Sequence, residues 1–267
     1  MDFAFSEQQD ELRDGVRTVL DAECTPDALR AFALADETGR AELAAHRWAV
    51  LAELGAPALV VPEASGGLGL SDVDLVGVLE EAGRACLPEP LLETGALAAP
   101  TLAALLPDDA AAAALAALVE DDAIVAVGGI DVTATGITSS TDVRPDGMLR
   151  TPRVSGARDA AILLLACRDA ESGWQLHAVP AASCTIEPTP ALSTGRDLAT
   201  VHWPLSSDTL LAYGVAAEAA AGLLADRAAA GSAALLVGLA DRMIAITAHY
   251  AKERHQFGKP IGSFQAV

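Results

Sequence analysis

Tyr250-Ala251-Lys252-Glu253-Arg254-His255-Gln256-Phe257-Gly258-Lys259-Pro260-Ile261-Gly262-Ser263-Phe264-Gln265 is the stretch on which the fold turns. Its first half reads as a helix stop, with cations Lys252 and Arg254 in the last turn, Gly258 at the exit and Pro260 shortly after. A helix stop asks for neither the aromatic Phe257 nor the continuation Pro260-Ile261-x-x-Phe264-Gln265, so the segment carries something besides termination.

Upstream of it, the apolar spacing predicts helix over Leu210 to Leu224 and again from Arg227 to Arg254. Between Ala123 and Pro204 the apolar runs are short and punctuated (Ile124 to Val127, Ala161 to Ala166, Trp174 to Val179, Thr200 to Trp203) and read as strands. Pro145-Asp146-Gly147 is a turn signal between two of them, as in an antiparallel β domain. The N-terminal part returns to helical spacing. Leu12, Val16, Val19 and Leu20 share one face, and a second helix runs through Trp48 and Leu51 to a stop at Gly55. The loop Ser65-Gly66-Gly67-Leu68-Gly69-Leu70 lacks the Lys-Ser/Thr of a P-loop and the strand of a dinucleotide fingerprint, and Ser71-x-x-Asp74 caps a helix after it. Pro100 and Pro107 break the following helical stretch, and Ala110 to Val119 forms an alanine-rich helix. The expectation is a mainly α fold with a central antiparallel β domain: an N-terminal helical domain over 1–120, the β domain over 121–208, and the start of an incomplete C-terminal helical bundle over 209–267.

Composition narrows the function classes. The 267 residues suffice for a buried core, and an apolar fraction of 52% with only 4% aromatic favours close-packed helices. A net charge of -20 opposes binding to a phosphate backbone, which excludes nucleic acid as the expected partner. Arg144, Arg150, Arg153 and Arg158 form the densest cationic cluster, either a local patch for a polyanion or a solvated loop surface. Cys24, Cys86, Cys167 and Cys184 are widely spaced and read as reduced thiols, the five His are scattered, and no metal is expected. The N-terminus lacks a secretory signal and the longest helix-like apolar run, Ala228 to Ala240, falls short of a membrane span, so the reading is cytoplasmic with no membrane span.

The segment 250–265 closely resembles the helix-to-helix junction of acyl-CoA dehydrogenases, and the order helical, β, helical resembles theirs over the whole chain, most strongly at 48–90 and 247–265. The resemblance implies an FAD-dependent enzyme that removes hydrogens from the α and β carbons of an acyl-CoA, with a carboxylate taking the proton and flavin the hydride. It implies that Arg254, Gln256 and Phe257 reach across a subunit interface to a neighbouring chain's FAD, and that Asp226 sits where the family meets CoA, although a helix-start Asp also explains it.

Other family positions depart from the pattern. The usual catalytic Glu lies beyond Val267, the alternative position holds Ala228, and no catalytic residue is assigned. In place of a Thr-Glu-Pro-x-Ala-Gly-Ser-Asp flavin loop stands Val127-Gly128-Gly129-Ile130-Asp131-Val132-Thr133-Ala134, with Thr133, Thr135, Thr138 and Ser139 as the substitute hydroxyls. In the second flavin motif only Ser155 offers the expected hydroxyl, with a strand-end turn serine as its plain reading. Ser193-Thr194-Gly195-Arg196 resembles a structural turn of the family. Residues given to a neighbour's flavin are therefore present, whereas those that hold a chain's own are degraded. Two roles follow from the resemblance: a short or truncated dehydrogenase, or a non-catalytic partner subunit in a homo- or hetero-oligomer, as in heteromeric members of actinobacterial sterol breakdown.

Overall fold

The computed structural model describes residues 4–134, 136–169, 173–192 and 197–265. Six α-helices lead: α1 Glu7–Glu23, α2 Pro26–Leu34, α3 Glu37–Glu53, α4 Asp72–Ala85, α5 Ala99–Ala104 and α6 Asp109–Glu120. Helix α4 starts where the sequence says, with Ser71 and Asp74 forming a capping box. The glycine loop before it is structural, since the amides of Leu68, Gly69 and Leu70 donate back to the carbonyls of Ala58, Val61 and Leu59. Helix α2 was not anticipated; its signals, the Thr25 cap and Pro26 in the first turn, were legible.

Pro100 does not break the stretch before α6. Leu92–Ala98 is a fully buried π-helix that passes directly into α5, so the helix continues through Pro100, and the Ala96 carbonyl four residues before it accepts from Arg227 instead. Within the π-helix, the Thr94 hydroxyl donates to the Val125 carbonyl and accepts from the Val125 amide, which fixes the start of the β domain. Trp48 also spans the layers, its indole donating to the Asp122 carbonyl at 2.6 Å.

The β region comprises β1 Val125–Gly128, β2 Ile130–Thr133, β3 Gly136–Ser139, β4 Asp142–Val143, β5 Leu149–Ser155, β6 Ile162–Asp169, β7 Gly173–Pro180, β8 Thr185–Thr189, β9 Leu198–Trp203 and β10 Leu210–Tyr213. They form two four-stranded sheets, β1-β6-β7-β10 and β4-β5-β9-β8, with β2–β3 as a separate hairpin. The expected all-antiparallel pairing fails at one place, because β1 runs parallel to β6. The sheets share a core in which the His177 ring lies 5.3 Å from that of Trp203, and the Trp203 indole donates to the Thr151 hydroxyl. Burial pushes the His177 pKa down to about 4, so its imidazole is neutral and sits within hydrogen-bond distance of Thr209 and Gln175.

The second correction concerns the C-terminal helices. Leu210 to Tyr213 is strand β10, and Gly214–Glu253 is one continuous helix, α7. By length and composition α7 is apolar enough to cross a membrane, unlike the shorter run read from sequence. It lies along α4 with backbones in contact. A Cβ on Gly238 would stand 1.7 Å from the Glu80 carbonyl oxygen, and one on Gly83 2.0 Å from that of Leu235. On its other flank α4 meets α1 through charge. Glu81, 2% exposed at its side chain, accepts from Arg17 at 2.7 and 2.9 Å and from Arg84 at 2.7 Å. Burial alone would raise the Glu81 pKa, but the two guanidiniums outweigh it and hold the carboxylate below its usual range.

Candidate functional site

Helix α7 ends at the opening segment, which turns back as a tight hairpin. Arg254 is the C-cap, its amide donating to the Tyr250 carbonyl, and the Ile261 amide donates to the Arg254 carbonyl. Strands β11 His255–Gln256 and β12 Lys259–Pro260 pair with Gln256 opposite Lys259, leaving a two-residue loop of Phe257 and Gly258. Their φ values are +51° and +81°, the left-handed pair of a type I′ turn, which asparagine and glycine normally fill. Phenylalanine at such a φ is a strained choice. The residue is nevertheless 94% exposed, with its ring edge-on to Phe264, whose own face carries the Lys259 ammonium at 4.2 Å. Arg254 and Gln256 are exposed beside it. The three residues expected to reach a neighbour's flavin thus lie within four positions, Arg254 capping the helix, Gln256 on β11 and Phe257 in the turn, and all three are exposed. That set suits a flat, polar-edged, anionic nucleotide cofactor.

The face of α7 leading to the hairpin is also uncovered. Leu236, Met243 and Tyr250, spaced seven apart, and Val237 and Ile244 beside them are all exposed, a stripe of the kind that seats another helix.

The remaining candidates are arranged differently. Ser155 ends β5, is half-buried, and borders a small cavity of about 20 Å³ with Leu87, Pro90 and Leu235 among its other walls. Thr133 donates to the Gly136 carbonyl, Ser139 accepts from the Thr141 amide and Thr138 is exposed on β3; Thr135, like Ser193 to Arg196, lies outside the described residues. The chemistry of Arg254, Gln256 and Phe257, a cation, an amide and an aromatic face, fits a flavin nucleotide.

Asp226 is not a helix-start residue; it is exposed deep inside α7 and edges an apolar groove of about 250 Å³ between α4 and α7, with Leu75, Val76 and Gly231 in its wall. Its neighbour Arg227 crosses the groove to Asp72 at 2.6 Å and donates to the Ala96 carbonyl. Ala228, the alternative position for a base, is half-buried in the same helix. The arginine cluster is no open patch for a polyanion: Arg144, Arg150, Arg153 and Arg158 each face an acid, Asp146, Asp142, Asp131 and Asp197 respectively.

Comparison with known proteins bears on these placements. Residues 6–120 match the model of the acyl-CoA dehydrogenase N-terminal domain, and residues 210–267 that of the C-terminal domain. The acyl-CoA dehydrogenase IpdE2 of Mycobacterium tuberculosis is 34% identical over 98% of this chain and 69% of its own length, and that of Mycolicibacterium smegmatis 32% identical over 98% and 70%. Among solved structures, the ChsE4-ChsE5 complex from Mycobacterium tuberculosis superposes with a TM-score of 0.82 at 25% identity, covering 100% of this chain and 72% of that one. The Tcur3481-Tcur3483 steroid ACAD gives 0.77 at 31% identity, covering 98% and 71%. With both domain models matched and a third of its residues shared with IpdE2 along nearly its whole length, this chain belongs to the acyl-CoA dehydrogenase family.

Proposed function

We propose that this chain takes part in FAD-dependent α,β-dehydrogenation of acyl-CoA thioesters by adding Arg254, Gln256 and Phe257 to a flavin held by a neighbouring chain. Bound FAD supplies the acceptor for hydride from the β carbon. Phe257 covers a face of the ring system and excludes water, Arg254 offers charge-assisted hydrogen bonds to the anionic part of the nucleotide, and Gln256 offers an amide to its polar edge. The observation that carries this reading is the strained, 94% exposed Phe257 at a turn position where its own chain gives it almost no burial. Backbone strain of this kind persists where a function uses it.

The partner role is favoured over a self-sufficient dehydrogenase by the contrast between this hairpin and the departure of 127–134 from the family's flavin loop. The exposed stripe on α7 supports an oligomer whose interface continues into the hairpin, and two solved relatives are themselves complexes of two different chains. Asp226 and its groove are the candidate place for part of an acyl-CoA. We read 1–120, 121–208 and 209–267 as the three domains and the setting as cytoplasmic, with the apolar length of α7 used in packing on α4 and on a partner.

The test is co-expression with an acyl-CoA dehydrogenase chain that retains the Thr-Glu-Pro flavin loop. Replacing a charge-assisted hydrogen bond forfeits roughly 1.5–3 kcal/mol, so Arg254→Ala should weaken FAD retention by the complex about 10- to 100-fold, with assembly on gel filtration unchanged. Phe257→Ala should act in the same direction. Unaltered flavin retention in both variants, or full flavin loading and acyl-CoA oxidation by the isolated chain, would refute the proposal.

A further inference from the structure

Helix α7 has two faces of different character. Its inner face, with Gly231, Ala234 and Gly238, is buried, and Gly238 lies against the backbone of α4. The opposite face is open, and residues 228–240 carry no charge in a chain whose net charge is -20. Ala233, Leu236, Ala240, Met243, Thr247 and Tyr250 recur on that face at steps of three and four, the spacing of a helix-to-helix seam, and every one is exposed. Asp241 and Arg242 fall between seam positions and leave the seam uncharged. The Thr247 hydroxyl is satisfied within the helix, donating to the Met243 carbonyl at 2.7 Å, so covering it strands no donor.

The sizes along the seam select its partner. Two parallel copies in register would set Tyr250 on Tyr250 and Met243 on Met243 but Ala233 on Ala233 and Ala240 on Ala240, so that overfilled and empty layers alternate. An antiparallel second copy, related by a two-fold axis between residues 241 and 242, sets Tyr250 on Ala233, Leu236 on Thr247 and Met243 on Ala240, a larger side chain against a smaller one in every layer. Charge at the two ends agrees with that direction. Asp226, seven residues before Ala233, and Arg254, seven after Thr247, are both exposed at the ends of the same face. Antiparallel pairing brings Arg254 of each copy within one turn of Asp226 of the other, whereas parallel pairing would set like on like. An exposed ion pair adds little affinity, so it sets direction while the apolar layers supply the attachment.

We propose that the open face of α7 is the seat of a second copy of this chain, packed antiparallel so that α7 meets α7 about a two-fold axis between residues 241 and 242. This rests on the reading that the chain works in an oligomer, and it names what covers the stripe, leaving the hairpin to the flavin-holding neighbour. With the axis so placed, the two hairpins stand at opposite ends of the paired helices, roughly 40 Å apart at the rise of an α-helix. A two-fold contact of this kind closes on itself and recruits no third copy.

Sedimentation velocity of the flavin-free chain on its own, over a range of concentrations, tests the pairing. The expected result is a dimer in exchange with monomer and no larger species. Ala233→Lys and Tyr250→Glu change exposed positions, so each variant should keep the circular dichroism of the unaltered chain. Each should weaken the dimer at least about 10-fold, because the two-fold axis places its unpaired charge in two apolar layers. The combined variant should regain most of that loss, since opposite charges then meet across the antiparallel seam; in a parallel pair like would face like, and the combined variant would be weaker than either alone. A chain that stays monomeric, that pairs only with a flavin-holding chain, or that floats with phosphatidylcholine vesicles in place of dimerising would overturn the proposal, as would a combined variant no stronger than the single ones. No FAD enters these measurements, and Arg254→Ala removes at most an exposed ion pair from the dimer, so the pairing and the flavin reading fail separately.

Discussion

Phe257 concentrates the argument at the level of the residue. Left-handed backbone costs an L-residue with a bulky side chain about 1–2 kcal/mol, which asparagine largely avoids. Phe257→Asn should therefore leave the hairpin as well formed or better, seen as slower amide exchange at Lys259 and Ile261, while FAD retention by the assembled complex falls. Sequence reading found these residues because their identities form the motif; it could not find the left-handed φ, which depends on the pairing of Gln256 with Lys259. Ser155 was legible as a hydroxyl in the right place, whereas the packing of Pro90, from a distant part of the chain, against the following Gly156 was not. His177 was passed over as one of five scattered histidines, and only burial against Trp203 gives it a distinct role. With a folded pKa of about 4 below the ordinary 6.5, it binds fewer protons folded than unfolded. Its contribution is present above pH 6.5 and is lost as pH falls towards 4, on the order of 3 kcal/mol in all. His177→Gln should flatten the dependence of the denaturation midpoint on pH across that window; an unchanged slope would assign the acid sensitivity elsewhere.

Elements extend the same logic to glycines in one helix. Gly238 meets the Glu80 carbonyl where α7 crosses α4, and a methyl group there cannot be accommodated without moving one helix off the other. Gly238→Ala should destabilise the chain by about 1–3 kcal/mol, the usual range for overpacking. Gly222, in the same helix with nothing near its missing Cβ, gives the opposite expectation. Gly222→Ala should stabilise by about 0.5–1 kcal/mol through the loss of backbone freedom in the unfolded chain. Thermal melts of the two variants should move in opposite directions. Helix existence was readable from apolar spacing, and the α4 start from its capping box. What failed was the kind of element for short runs: Leu210 to Tyr213 suits strand or helix equally by periodicity, and its pairing with β7 decides for strand. The parallel match of β1 with β6 was equally hidden, since register between distant strands leaves no local signal.

At the scale of the whole molecule, the exposed apolar stripe of α7 leads into the exposed hairpin that ends it. The family and its order of helical and β parts were legible from motifs and composition shifts, but the uncovered stripe of α7 was not, because it is a property of which surfaces the fold fills. The most direct measurement is the FAD content per chain, by visible absorbance after gel filtration, of this chain alone and of its complex with a partner that retains the Thr-Glu-Pro flavin loop. The account predicts little or no FAD on the isolated chain and one FAD for each pair of chains in the complex. One FAD bound tightly by every copy of this chain on its own would contradict it.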